Sequence, residues 1–437
     1  MTALWTCPFC PLLCDRFSVA ASPVEASPAV SPGASAGACL VLQGSDCTRA
    51  RDALARFGPG GTALPQVGAR QVTLDVAVAT AAEWLARSRQ PLFGGLGTDV
   101  AGARALYRLA CETGAITDAA HGRALMHGLR ALQDRGAFTT TLAEVRERAD
   151  VVVCLTGSPA ERLPEFYRRC GIGEAMDGEP SARHLVMFDG AAADAERALP
   201  QSLPGVTTEA LAWHGDLFTT VSVLAALVAR RTVRDALPAL AALAARLRAA
   251  RYAVLVWEAA ALPAHGALVA EGINTIVGTL NRSTRSAALP LGGSDGAATV
   301  NQVFTWLGGL PLRSRLGPAG LEHEPHRFDA ARLLADGAVD ALLWVASFGT
   351  EPAVPQAAVP RIVLGHPRFA PALAGAQTVF IPAATPGVGS AGHLFRADGV
   401  VLMPLTAVVD QQLPTVADVL ARLTLAVQAL RPARAVA

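Results

Sequence analysis

The sequence predicts an α/β protein, with parallel sheets covered by helices on both faces and a small cysteine-bearing region ahead of them. Three observations carry that expectation. Short, nearly continuous apolar runs recur, among them Val151-Val-Val-Cys154 and Tyr252-Ala-Val-Leu-Val-Trp257, and strands that are apolar at every position belong in sheets buried on both sides. Longer stretches with helical spacing separate these runs. Three cysteines, Cys7, Cys10 and Cys14, crowd the first fifteen residues before the alternation starts.

With 437 residues, 51% hydrophobic and 17% charged, the chain can bury large cores in two or three α/β units. Several function classes drop out. The formal charge is +1 with no basic tract, which leaves no electrostatic footprint for nucleic acid. All 37 basic residues are arginine, so Schiff-base chemistry and phosphate-loop lysines are excluded. No apolar run has membrane-spanning length and no signal-like segment opens the chain, so no membrane contact and a cytoplasmic location are expected.

The elements follow in order. Cys7-Pro-Phe-Cys10-Pro-Leu-Leu-Cys14 has C-x2-C-x3-C spacing, which lets three sulfurs converge on one soft metal centre, with Cys39 or Cys47 as the fourth ligand. An iron-sulfur cluster, zinc and unligated thiols all fit the spacing. Zinc usually draws on paired C-x2-C knuckles, so the pattern suits a cubane cluster better. Cys111, Cys154 and Cys170 read as buried small apolar groups. Arg16–Val19 and Ala38–Val41 read as extended pieces flanking a Ser/Pro/Ala-rich loop at Ser22–Ser35. Ser45 or Asp46 is expected to cap a helix through Arg56, ended by Gly58, which would put Cys47 in a first turn that favours its thiolate.

A helical segment from Asp75, with Val78, Ala82 and Leu85 on one face, leads to extended Pro91–Phe93 and a glycine-rich turn, Gly94–Thr98. A new helix starts at Asp99. Strand, turn and helix N-terminus form a ligand-facing crevice, although without a full G-x-G-x-x-G the turn does not imply a nucleotide. Further strands are expected at Ala149–Leu155, His184–Phe188, Val339–Val345, Arg361–Leu364 and Thr378–Ile381, with a last amphipathic helix at Val416–Leu430.

Two rival motifs compete. Gly292-Gly-Ser294-Asp-Gly296 fits G-x-S-x-G, and with Asp340 and His366 or His393 it would make a serine hydrolase; the other reading is a turn that caps the helix from Ala298. His323-Glu-Pro-His326 is interrupted by proline, so it reads as a loop and not as a metal site.

Four segments in the same order, Cys7–Asp15, Phe93–Leu106, Gly292–Trp306 and Gly392–Val400, resemble the B subunit of formylmethanofuran dehydrogenase. The resemblance implies a molybdopterin oxidoreductase-like fold: an iron-sulfur-type region at residues 1–60, an α/β domain from 61–118 and 285–437 with pterin-site-like loops, and a second α/β domain at 119–284. It implies Cys7, Cys10, Cys14 and Cys47 as ligands of a [4Fe-4S] cluster. It also implies a pterin site at Gly94, Thr98, Asp99, Val100, Ser294, Asn301, Arg396, Asp398 and Gly399.

One departure matters. Where that family holds molybdenum or tungsten with a cysteine or selenocysteine, this chain has Thr98-Asp99-Val100, and valine cannot coordinate a metal. The pattern is therefore similar to the B subunit of the formyltransferase/hydrolase complex of methylotrophic bacteria. That likeness implies a scaffold with a vestigial metal-pterin site, without molybdopterin or tungstopterin. It also implies a complex that converts formyl-tetrahydromethanopterin to formate through formyl-methofuran in formaldehyde oxidation. The implied partners are a zinc-dependent hydrolase subunit, a formyltransferase subunit and a pterin-domain-like subunit. The alternative is an active tungsten or molybdenum dehydrogenase subunit interconverting carbon dioxide and formate.

Overall fold

Strands such as Val151–Cys154 and Ala341–Ala346 are buried at every position, so neither face can meet water and helices must cover both. The computed structural model describes residues 4–23, 38–57, 63–173, 183–200, 202–351, 353–373, 375 and 377–431. It is a mixed α/β structure in two units. The first unit spans residues 1–122, 293–396 and 402–437; the second spans 123–292 and 397–401.

In the first unit, a nine-stranded sheet has five parallel strands at its centre, in the order Ile116–Thr117, Pro91–Gly97, Ala341–Ala346, Arg361–Gly365 and Thr378–Pro382. Antiparallel strands close both edges. The closing helix Val416–Leu430 packs on the helices Leu74–Arg87 and Val100–Thr113, burying Val416, Val419, Leu420, Leu423 and Val427. Their spacing of three and four places them on one stripe, and burying five aliphatic side chains contributes roughly 10 kcal/mol. A capping box fixes where it begins: Thr415 Oγ1 accepts from Asp418 N at 3.1 Å, and Asp418 Oδ2 accepts from Thr415 N at 3.3 Å.

The second unit is a five-stranded, wholly parallel sheet in the order Arg285–Leu291, Tyr252–Glu258, Val151–Cys154, Arg183–Asp189, Val206–Ala212. One face is sealed by Leu224, Leu243, Val269 and Ile273 from the helices Leu217–Val228, Pro238–Ala249 and Gly266–Leu280.

Two local expectations change. The glycine segment is not a turn: the strand runs from Pro91 through Gly97, with one extra residue between the pairs Gly94↔Trp344 and Gly97↔Ala346. The bulge puts Gly95 at φ 74° and Leu96 at φ 59°. The second change is at the helix after Cys47, which begins at Thr48 and ends at Leu54, leaving Cys47 outside the first turn as the N-cap. Ser45 does not cap it; Ser45 Oγ accepts from Cys47 N at 3.0 Å and closes the turn before it. Ser18–Pro23 and Ala38–Gln43 pair antiparallel, while the Ser/Pro/Ala-rich loop between them and Gly58 lie outside the described residues. No helix among the described residues is long and apolar enough to cross a membrane.

Candidate functional site at a sheet switch point

From Pro91–Gly97 the chain crosses through the helix Val100–Thr113 to Ile116–Thr117 on one side, while Ala341–Ala346 lies on the other side. The carboxyl ends of Pro91–Gly97 and Ala341–Ala346 therefore flank the point where the strand order reverses, the usual place for a ligand crevice in an open parallel sheet. A cavity of about 20 Å³ sits there, lined by Gly95 and Gly97, Val345 and Ala346, and loop residues including His121, Asp295 and Gly349.

Close backbone approach shapes this cavity. A Cβ on Gly296, which has φ 81°, would stand 2.2 Å from the Thr98 carbonyl, so only glycine lets the 294–296 turn close over the strand end. The Gly97 carbonyl accepts from Ser347 N at 2.9 Å and Ser347 Oγ at 2.8 Å, and Ala120 N donates to Gly95 O at 3.1 Å. The loop from Asp118 to His121 is pinned below by Arg313, whose guanidinium meets Asp118 at 3.1 Å and Asp329 at 2.6 Å. Asp118 also accepts from Ala330 N at 2.8 Å. Burial outweighs this pairing and pushes the Asp118 carboxyl up to about 6.

Asp295 lies in the cavity wall with His121 and Glu351, and its backbone is held at φ 57°. Burial raises its pKa, while the nearby charges of Arg49, His121 and Arg56 act the other way. Arg56 reaches the rim: its Nη1 is 3.0 Å from where a Cβ on Gly349 would lie. Next along the sheet, His366 follows Arg361–Gly365, accepts through Nδ1 from Arg368 N at 3.2 Å, and leaves Nε2 buried without a partner. Burial, with Arg368 and Arg56 nearby, pushes it down to about 4.

The residues singled out for a pterin site divide into several roles. Gly94 packs beneath Trp344, which lies 2.9 Å from the position of a Cβ. Thr98 is wholly buried with no hydrogen-bond partner for Oγ1. Asp99 caps its helix, accepting from Gly102 N at 3.0 Å, and Val100 is the first helical residue. Asn301 Oδ1 accepts from Leu312 N at 3.1 Å, a structural tie. The backbone of Ser294 lies in the 3₁₀ turn Ser294–Gly296. Arg396 is buried in the first unit, whereas Asp398 and Gly399 belong to the second, where Asp398 Oδ2 accepts from Leu142 N at 3.3 Å.

The serine hydrolase reading fails on geometry. Asp340 precedes Ala341–Ala346, at the strand end opposite the cavity, and is occupied by Ser88 Oγ, Arg89 N and Gln90 N. The non-glycine left-handed residue of the turn is Asp295, whereas a nucleophile elbow strains the serine itself. His323 lies on the edge strand Gly320–His323, its Nδ1 3.1 Å from Arg313 O.

The N-terminal cysteines form a closed loop: Trp5 N donates to Phe17 O at 2.7 Å and Cys7 N to Cys14 O at 2.8 Å. Cys7, Cys10, Cys14 and Cys47 are all buried. Burial raises the Cys7 thiol, and Cys10, Cys14 and Cys47 add to that rise, so Cys47 and not Cys39 joins this neighbourhood. Burial pushes Cys10 up to about 11 against the pull of Arg49. Among the described residues, no three His, Cys, Asp or Glu side chains are grouped so as to hold a metal ion. The thiols are neighbours without the tight grouping of a single-ion cage.

Sequence reasoning missed His121, Asp295, Arg49 and Arg56. The signal was present in part: Arg49 and Arg56 are seven residues apart, two helical turns, and Asp295 stands between Ser294 and Gly296 in a run otherwise read for its serine.

No family model matches the chain. Over 280 residues it is 36% identical to the B subunit of the formyltransferase/hydrolase complex Fhc of Methylorubrum extorquens, a match covering 63% of this chain and 72% of that protein. The chain belongs to this B-subunit family. Structure agrees with sequence: the crystal structure of the formyltransferase/hydrolase complex FhcABCD from Methylorubrum extorquens, in complex with methylofuran, contains a chain that superposes with a TM-score of 0.71 at 30% identity. That match covers 84% of this chain and 99% of the other.

Proposed function

We propose that this chain is the B subunit of a formyltransferase/hydrolase complex that converts formyl-tetrahydromethanopterin to formate by way of formyl-methofuran, in cytoplasmic one-carbon oxidation. The carrying observation is the superposition of 84% of this chain on 99% of a chain from a complex crystallised with methylofuran. Its partners in this reading are a zinc-dependent hydrolase subunit, a formyltransferase subunit and a pterin-domain-like subunit. The chain itself acts as scaffold, on a molybdopterin oxidoreductase-like fold whose metal-pterin site is vestigial.

Two features of the site support the vestigial reading. Thr98-Asp99-Val100 offers no thiol, and Asp99 is committed to its helix N-terminus. The cavity at the strand ends, at about 20 Å³, is an order of magnitude below the ~300 Å³ at which small-molecule sites begin. A pterin does not fit there. The four N-terminal thiols are a different case. A cubane cluster spaces its sulfurs more widely than one ion does, so buried neighbouring thiols suit it better than zinc, and Cys7, Cys10, Cys14 and Cys47 would hold it. A cluster would supply electron transfer; no step of formyl transfer or hydrolysis is drawn through it.

Co-expression with the other three subunits tests this reading. The chain is expected to co-purify with them in a complex that hydrolyses formyl carrier, with no tungsten or molybdenum by elemental analysis. A stoichiometric equivalent of either metal on this chain, or a chain that stays monomeric beside an assembled complex, overturns it.

A further inference from the structure

We propose that the outer face of the ribbon formed by Gly392–Phe395 and Leu402–Leu405, together with Trp306 and Leu307 of the helix Ala297–Gly308, docks a different subunit of the formyltransferase/hydrolase complex. The identity of the occupant rests on the function proposed above; that the face is built to be covered rests on its own chemistry.

The register of the ribbon decides which side chains point outward. Leu394 pairs with Met403 and Phe395 with Leu402, and successive residues of a strand point to opposite faces. Leu394 and Leu405 are buried in a cluster with Leu13 and Phe348, and Met403 packs against it, so these three mark the inner face. His393, Phe395, Leu402 and Pro404 therefore form the outer face. Phe395 is buried there beneath Trp306, the two rings meeting edge-on with centroids 5.1 Å apart, while His393, Leu402 and Pro404 are exposed.

The indole that covers Phe395 is itself open: Trp306 is 66% exposed, Leu307 48% and Leu402 43%. The helix is thus apolar on both sides, with Val300, Val303 and Phe304 buried and Trp306 and Leu307 turned out, whereas a helix whose outer side meets water carries polar and charged residues there. Charge is missing from the whole face. Residues 297–312 and 399–409 contain no Asp, Glu, Lys or Arg. Depletion of charge with enrichment of Trp, Phe and Met is the composition of the centre of a protein–protein interface, and tryptophan is prominent among the residues whose truncation breaks one.

What covers the face follows from assembly. The solved chain on which this one superposes is part of the complex FhcABCD, so this fold works beside other subunits, and an uncharged face presenting a tryptophan is one that they shield from water. The surface that fits it is equally uncharged, with an apolar pocket for the indole.

Photo-crosslinking in the assembled complex tests the proposal. With p-benzoylphenylalanine in place of Trp306, irradiation of the co-expressed complex is expected to join this chain to one other subunit, identified by mass spectrometry. Leu307→Arg and Leu402→Arg, both at exposed positions, should each weaken co-assembly about tenfold or more while leaving the melting profile of the chain unchanged. A crosslink to a second copy of this chain alone, no crosslink to any subunit, or wild-type assembly of both arginine variants overturns the docking face. Hydrolysis of formyl carrier by the same preparation separates the two claims: a complex that hydrolyses it without a crosslink from residue 306 refutes only the docking face, and one that crosslinks without hydrolysis refutes only the proposed function.

Discussion

The two parallel sheets have the same kind of switch point and use it in opposite ways. In the second unit the carboxyl ends of Val151–Cys154 and Tyr252–Glu258 are tied together by side chains, with Glu258 N donating to Thr156 Oγ1 at 2.9 Å. Tyr167 and Ser158 hydroxyls pair at 3.1 Å, and Arg162 meets Glu258 at 3.4 Å. Burial raises the Cys154 thiol far above its ordinary range, with Cys170 and Glu258 adding to it, so this thiol is an inert apolar group. In the first unit the corresponding ends carry glycine and alanine, the walls come from backbone, and charged groups converge from the loops. What separates the two strand ends is the volume and polarity of their side chains, since the parallel topology is common to both.

The most severe way to break this contrast is to give the first sheet the second one's bulk. A Cβ on Gly95, at φ 74°, would meet Val345 O at 2.6 Å and the Trp344 ring at 2.9 Å. Gly95→Val is expected to cost roughly 4 kcal/mol, from strain at a left-handed position plus overpacking, measured as a shifted denaturation midpoint.

A pH experiment sharpens the contrast in charge. His366 beside the first cavity is held neutral, its pKa lowered from 6.5 to about 4 by burial and by Arg368 and Arg56. The unfolded chain takes up this proton between those two values and the folded chain does not. Stability is therefore full above pH 6.5 and is lost as pH falls toward 4, by roughly 3 kcal/mol for this group. Equilibrium unfolding of His366→Gln should show a flatter acid limb; an unchanged slope between pH 6.5 and 4 refutes the assignment.

The smallest effect belongs to the plugged site. Tyr167→Phe removes one hydrogen bond to Ser158 and leaves the packing in place, for an expected loss of about 1 kcal/mol in chemical denaturation. A loss several times larger would mean that the second switch point depends on its polar pair and not on bulk.

Much of the architecture was legible in the residues. Runs such as Val151–Cys154 have no polar side to show water, and Thr415 with Asp418 marks where the last helix starts, so strands and caps could be read locally. Other features turn on distances between residues far apart in the chain. Asp340 and Ser294 follow a hydrolase order in sequence, yet one lies at the amino end of a strand and the other beside the carboxyl ends, because a parallel strand separates its two termini by its whole length. Cys39 and Cys47 were equal candidates by spacing, and only the fold brought Cys47 to Cys7 and Cys10.

What the sequence by itself determined is chemistry that needs no neighbour: the parallel α/β alternation, the absence of lysine, and the missing thiol at Thr98-Asp99-Val100. The tertiary structure decided the rest. It turned the glycine segment into a bulged strand under Trp344, and it brought Arg49, Arg56 and His121 from distant places in the chain near enough to Asp295 to act on its charge. The physical reason is that apolar periodicity reports burial along one element, whereas a charge's environment is set by whichever distant loops the sheet order brings to the same strand end.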